Sequence, residues 1–219
     1  YARRVAEVEM NSSVDNPLLF ADTGKCLSGG NFHGQPIALA MDLLGLSMCS
    51  VGNIAERRVS RLVDPKLSEG LPAFLVHPEV EQGLHNGLML AQYTAAALAA
   101  ECKASAHPSS VDTIPTSAGQ EDHVSMGASA ARNAFRIVEK VEGVVGIELL
   151  CAAQALDLRL MQKHLRLGDG TAAAHRAIRE KIPVLKEDRA LYRDIRAATY
   201  LVRDGAVLKA AEDAVGALA

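Results

Sequence analysis

The chain has 219 residues, a formal net charge of −3, 49% hydrophobic and 22% charged residues, which is globular composition and excludes a disordered chain. That charge balance excludes a basic nucleic-acid footprint, and 4% aromatics without Trp leave no base-stacking platform. No apolar run reaches the roughly 18 residues of a membrane span, and no apolar signal segment follows Tyr1-Ala2-Arg3-Arg4.

Residues 1–10 set Val5, Val8 and Met10 among charges, the pattern of the last turns of an amphipathic helix. Asn11 to Gly34 carries Asp-Asn-Pro, Asp-Thr-Gly and Ser-Gly-Gly. These are turn signals, and a loop of about 24 residues in a compact domain is often functional. Pro36 suits the first turn of a helix running to Val63, where Asp64-Pro65 ends it. A second loop, Lys66 to Leu84, holds Gly70, Pro72, Pro78 and Gly83, and an alanine-rich helix is predicted over about 85–106. Ser109 to Gly119 is irregular, and a long helix is predicted over about 120–162. Its interior is apolar nearly all round, so it belongs among other helices, and Gly143 and Gly146 would permit close approach. The tail, about 171–218, reads as three short helices split by Pro183 and by Asp204-Gly205.

Metal chemistry has no support, because neither HExxH nor a His/Cys ligand spacing occurs. Phosphate loops, dinucleotide fingerprints and a GxSxG elbow are missing too. The four cysteines, at 26, 49, 102 and 151, form no CxxC pair and read as reduced, buried thiols of a cytoplasmic protein. His77, His85, His164 and His175 read as solvated or structural, Met89 on the helix after His85 as a core residue, and Arg57-Arg58-Arg61 as a solvated helix face or an interface patch.

Two polar clusters stand out. In Ser28-Gly29-Gly30-Asn31-Phe32-His33-Gly34 the glycines would let backbone approach a ligand beside the Phe32 ring. The same glycines also suit a plain connection whose Phe plugs the core. In the run from Ser109 to His123, Ser117 and Gln120 match an S-x-x-Q capping box, with Glu121 and Asp122 complementing a helix dipole. Adjacent Glu, Asp and His at a helix mouth are equally acid–base candidates.

Those loops resemble the aromatic amino-acid ammonia-lyase (MIO) family, and within it the histidine ammonia-lyases most closely. Asn11-Ser12-Ser13-Val14-Asp15-Asn16-Pro17-Leu18, Ser28 to His33, and the long run from His107 through Met126 carry the match. Gly70-Leu71-Pro72, Gly87-Leu88-Met89, Gln92, Ala153-Gln154 and Asp157-Leu158-Arg159 extend it. The resemblance implies an all-α long-helix bundle of the ammonia-lyase/fumarase-like type, with residues 1–219 forming its C-terminal half only. It also implies a tetramer of complete units, with each site built from more than one subunit.

Such enzymes use a 4-methylidene-imidazol-5-one (MIO) group made from an internal Ala-Ser-Gly, a tripeptide that does not occur here. The resemblance therefore implies a nicked product, a truncated version or the natural subunit of a split lyase, inactive alone. The MIO group would come from an N-terminal lyase half. With that partner it would remove a proton beta to the carboxylate of L-histidine and release ammonia to give urocanate. Within the resemblance, Phe32 packs beside the MIO group and the substrate, and Asn16 stands near the substrate's amino-acid end. Glu121 lies near the substrate side chain, where it pairs with imidazole or assists proton transfer. Met89 takes an apolar pocket position, and the Gln120-Glu121-Asp122-His123 order favours the histidine enzymes. Other members remain open: a phenylalanine/tyrosine ammonia-lyase, a 2,3-aminomutase component, or a non-catalytic scaffolding subunit. A chain missing half its fold is expected to expose apolar helix faces.

Overall fold

The computed structural model describes residues 1–81, 83–162 and 165–218, and His164 lies outside them. Seven α-helices and one small ladder are described: α1 (Ala2–Met10), β1 (Leu18–Phe20), β2 (Lys25–Leu27), α2 (Gln35–Val63), α3 (Met89–Ser105), α4 (Gly127–Gln162), α5 (Asp169–Arg179), α6 (Tyr192–Arg203) and α7 (Ala206–Val215). The all-α long-helix fold is the one expected. The chain divides into two compact units, one of Tyr1–Cys49 with Lys103–Val138 and the other of Ser50–Cys102 with Glu139–Ala219.

In the first unit the 11–34 segment is not a bare loop. β1 and β2 pair antiparallel, with Leu18 opposite Leu27 and Phe20 opposite Lys25. Ala38 and Ala40 of α2 are buried, as are Ala130, Ala134 and Ile137 of α4. Gly45 makes that packing close, since a Cβ there would stand 3.1 Å from Ile137 Cδ1. The Leu39, Leu43 and Leu46 row of α2 is about half exposed instead. Apolar on both faces, α2 has the length and composition to cross a membrane, although its sequence shows no unbroken apolar run. The same pattern marks a helix surrounded by other helices.

The second unit holds the larger core, with Val59, Leu75, Leu88, Ile147, Leu158 and Ile182 fully or almost fully buried. Each such side chain contributes about 1.5–3 kcal/mol by leaving water. Gly146 lets α6 lie against α4, because a Cβ would meet Thr199 N at 2.8 Å and Ala198 C at 3.0 Å. Gly143 likewise faces Leu98 Cδ1 at 3.1 Å. Both glycines thus serve the close approach their position in an apolar helix suggests.

Polar groups in this unit are tied off. The Gln154 amide donates to Leu185 O at 2.9 Å and to Leu75 O at 3.4 Å, and accepts Leu185 N–H at 3.0 Å. Asp157 takes His175 Nε2 at 2.8 Å and Arg179 Nε at 2.8 Å, pinning α5 to α4. Arg159 donates to Ser68 O and Glu69 O, both at 3.0 Å. On α2, Arg57 pairs with Glu56 and Arg58 with Glu148, so these two arginines are engaged rather than simply solvated.

Two helices start later than their composition suggests. α3 begins at Met89 rather than near His85, because Gly87 is left-handed (φ 54°) and breaks the helical path. α4 begins at Gly127 rather than near Gln120, for reasons that lie in the candidate site.

Candidate active site

Asn16 ends the turn before β1, and the hairpin brings the chain back beside it. Its Oδ1 accepts the Gly29 N–H at 3.1 Å, and Asn31 Nδ2 donates to Ser13 O at 3.5 Å. The glycine-rich segment is therefore held by the turn that carries Asn16. Gly29 and Gly30 have open space where a Cβ would stand. Phe32 is 46% exposed, so it does not plug the core, and that alternative falls.

The capping box does not form. Ser117 and Ala118 adopt left-handed backbone (φ 51° and 56°), followed by Gly119 at φ 88°. That turn lets Thr116 and Glu121 exchange both backbone hydrogen bonds, N to O at 2.9 and 3.2 Å. Residues committed to such a bridge cannot be the first turn of a helix. Met126, a third left-handed residue at φ 58°, precedes the true start of α4. Each such non-glycine conformation costs about 1 kcal/mol and persists only where its surroundings enforce it. Glu121 and Asp122 consequently have no helix-dipole explanation. Glu121 and Gln120 are both exposed, and no hydrogen bond or ion pair holds the Glu121 side chain among the described residues.

The two loops are joined by a pair that sequence reasoning missed. His33 Nε2 donates to the His123 carbonyl at 2.8 Å, and the two rings stack with centroids 4.9 Å apart. Phe32 neighbours His33, ring to ring at 6.4 Å, and Glu121 lies two residues before His123. Val124 N donates to Thr113 Oγ1 at 2.8 Å, and Ser110 N to the Asp42 carboxylate at 2.7 Å, fixing the same run from behind. A separation of 90 residues leaves no spacing signal for the histidine stack. Asn16, Phe32, Gln120 and Glu121 thus all belong to the first unit, on two loops that this stack joins. Met89 belongs to the second unit, half-buried at the first position of α3.

The expectation of four buried thiols holds for Cys102 and Cys151 only, since Cys49 is half-buried and Cys26 lies exposed on β2. Burial, helped by the Glu148 carboxylate, pushes the Cys151 thiol up to about 12. The Arg58 and Arg203 guanidiniums are held above their usual range by hydrogen bonds to Glu148 and Glu142. No group of three or more His, Cys, Asp or Glu among the described residues could hold a metal ion. What the loops can do chemically is therefore acid–base, hydrogen-bonding and ring-packing work from an open surface.

Comparison with known proteins gives a consistent result. The model of the aromatic amino acid lyase family matches residues 1–180. Histidine ammonia-lyase of Gloeobacter violaceus is 51% identical over 218 residues, which is all of this chain and 41% of that protein. The crystal structure of histidine ammonia-lyase from Trypanosoma cruzi superposes with a TM-score of 0.86 at 44% identity, covering 98% of this chain and 42% of that one. A tyrosine aminomutase from Streptomyces globisporus superposes with a TM-score of 0.88 at 38% identity, covering 97% and 39%. The chain therefore spans about two fifths of the length of the relatives it matches.

Proposed function

Because the chain belongs to the aromatic amino acid lyase family, we propose that it is the C-terminal portion of a histidine ammonia-lyase. Joined to the portion that carries Ala-Ser-Gly, it eliminates ammonia from L-histidine and yields urocanate. The observation that supports this most is the 51% identity to a histidine ammonia-lyase across the whole chain, both loops included. Activity requires the partner portion, and the complete units assemble as a tetramer. Cytoplasmic residence belongs to the same proposal and rests on the wide spacing of the four cysteines.

The proton removed in this reaction, beta to a carboxylate, is weakly acidic, and the MIO group of the partner portion supplies the electrophile that makes its loss feasible. The residues here suit a wall beside such a group: an exposed phenyl ring at Phe32 and backbone open to approach at Gly29 and Gly30. Phe32 excludes water from one side of the substrate. Asn16 spends its oxygen on Gly29 N–H, so its amide N–H groups are left to hold the amino-acid end. The Glu121 carboxylate pairs with the imidazole ring or takes a proton, and Gln120 supplies a further amide beside it. Met89 provides an apolar surface for the side chain.

Co-expression with the Ala-Ser-Gly portion, followed by assay of L-histidine turnover, tests the reading. Urocanate and free ammonia, formed only when both chains are present, are expected. A beta-amino acid product would instead favour an aminomutase, the reading to which the similarity with tyrosine aminomutase lends weight. Turnover of L-phenylalanine or L-tyrosine in preference to L-histidine would reassign the substrate.

A further inference from the structure

Met89 enters α3 from a short segment that is held mainly from outside. Leu88 is fully buried, and its N–H donates to Phe74 O at 2.8 Å. Gly87 must be glycine, since a Cβ there would lie 2.5 Å from that same oxygen. The N–H groups of Asn86 and Gly87 both donate to one carboxylate, Asp188 Oδ2 at 2.7 Å and Oδ1 at 2.9 Å. Asp188 donates its own N–H to His85 Nδ1 at 3.2 Å. The segment bearing Asp188 is fixed in turn, through Leu185, to the buried amide of Gln154 on α4.

Support thus runs from α4 through Gln154, Leu185 and Asp188 to Asn86 and Gly87, and ends two residues from Met89. A carboxylate taking two backbone N–H groups is a strong, geometrically defined contact. A cavity of about 550 Å³, lined in part by Asn86, Gly87, Leu90 and Asp188, lies against it. That cavity leaves room for the segment to shift once the carboxylate is removed.

We propose that Asp188 is a positioning residue for substrate selection: its carboxylate sets the place of Met89, and through Met89 the fit of the substrate side chain. This rests on the reading of Met89 as a wall of the lyase pocket.

The test uses the assembled lyase, this chain with its Ala-Ser-Gly partner, and compares KM and kcat for L-histidine. Asp188→Ala is expected to raise KM about 10-fold with a smaller change in kcat, the effect of a misplaced pocket wall. Asp188→Asn keeps one acceptor oxygen and is expected to fall between Ala and wild type. Lys186→Ala, which removes an exposed ion pair with Glu79 in the same segment, is expected to leave KM unchanged. Met89→Lys is expected to alter KM in its own right.

An unchanged KM in Asp188→Ala beside an altered KM in Met89→Lys overturns the proposal alone. Lower kcat at constant KM would show a structural role and overturn it too. If Met89→Lys leaves KM unchanged, the reading of Met89 falls and the proposal with it. Should Asp188→Ala fail to assemble, Asp188→Asn decides, with wild-type KM counting against the proposal. A wild-type assembly that releases no ammonia would overturn the lyase reading itself.

Discussion

Gln154, in the unit built from 50–102 and 139–219, has both ends of its buried amide bonded. Glu121, in the unit built from 1–49 and 103–138, has an exposed carboxylate, and no hydrogen bond or ion pair holds it among the described residues. The same contrast repeats around them. Asp157, Arg159 and Asp188 are each spent on fixing backbone or a neighbouring helix. Phe32, Gln120 and the amide N–H groups of Asn16 are left on the surface of two loops joined by a histidine stack. Buried polar groups must be paired, because an unpaired one costs about 1–3 kcal/mol. A group that works on a substrate must remain available. Stability and acid–base chemistry should therefore separate by unit, and variants can pull them apart.

The largest stability loss is expected from Gln154→Leu. It leaves the Leu185 N–H and two carbonyls unpaired in a closed core, for a cost of about 3 kcal/mol in urea unfolding. A cost below about 1 kcal/mol would show that water reaches the site. Gly146→Ala comes next, because its Cβ would press on the backbone of Thr199 and Ala198, which cannot swing aside as a side chain could. About 1–3 kcal/mol is expected, read as a lowered melting temperature.

Cys151 gives a smaller, pH-dependent effect. Its folded pKa of about 12 lies above the unfolded value. The neutral thiol therefore contributes stability that is fully present below about pH 9 and is lost as pH rises toward 12. Thiol labelling of the folded chain at pH 8 should accordingly modify the exposed Cys26 and spare Cys151. Rapid labelling of Cys151 would mean the core opens. At the small end, Phe32→Ala should change stability by less than about 0.5 kcal/mol, since nearly half of the side chain is already in solvent. A larger loss would mean the ring is a packing residue after all.

Much of the architecture is legible in the residues. Pro36 and Asp64-Pro65 bracket α2, and Pro183 and Gly205 separate the tail helices, because these residues act through the local backbone alone. The starts of α3 and α4 are not legible in the same way. They depend on left-handed backbone at Gly87, Ser117, Ala118 and Met126, of which only the glycine carries a local signal. β1 is three residues of Leu-Leu-Phe without alternation, so pairing with β2 decides it. At the site, composition alone left Glu121 equally a helix-cap residue and an acid–base group. The Thr116–Glu121 bridge removes the first possibility, and family resemblance supports the second. The His33–His123 stack and the Asp188 latch, with partners about 90 and 100 residues apart, arise only from the folded chain.

The decisive measurement is the turnover of L-histidine by the assembled lyase carrying Glu121→Ala in this chain, with assembly checked by native mass. Loss of an acid–base group should lower kcat by about 10²-fold or more while the complex stays intact. An unchanged kcat in an intact complex would contradict that role, and would leave this chain as a scaffold for chemistry done wholly by its partner.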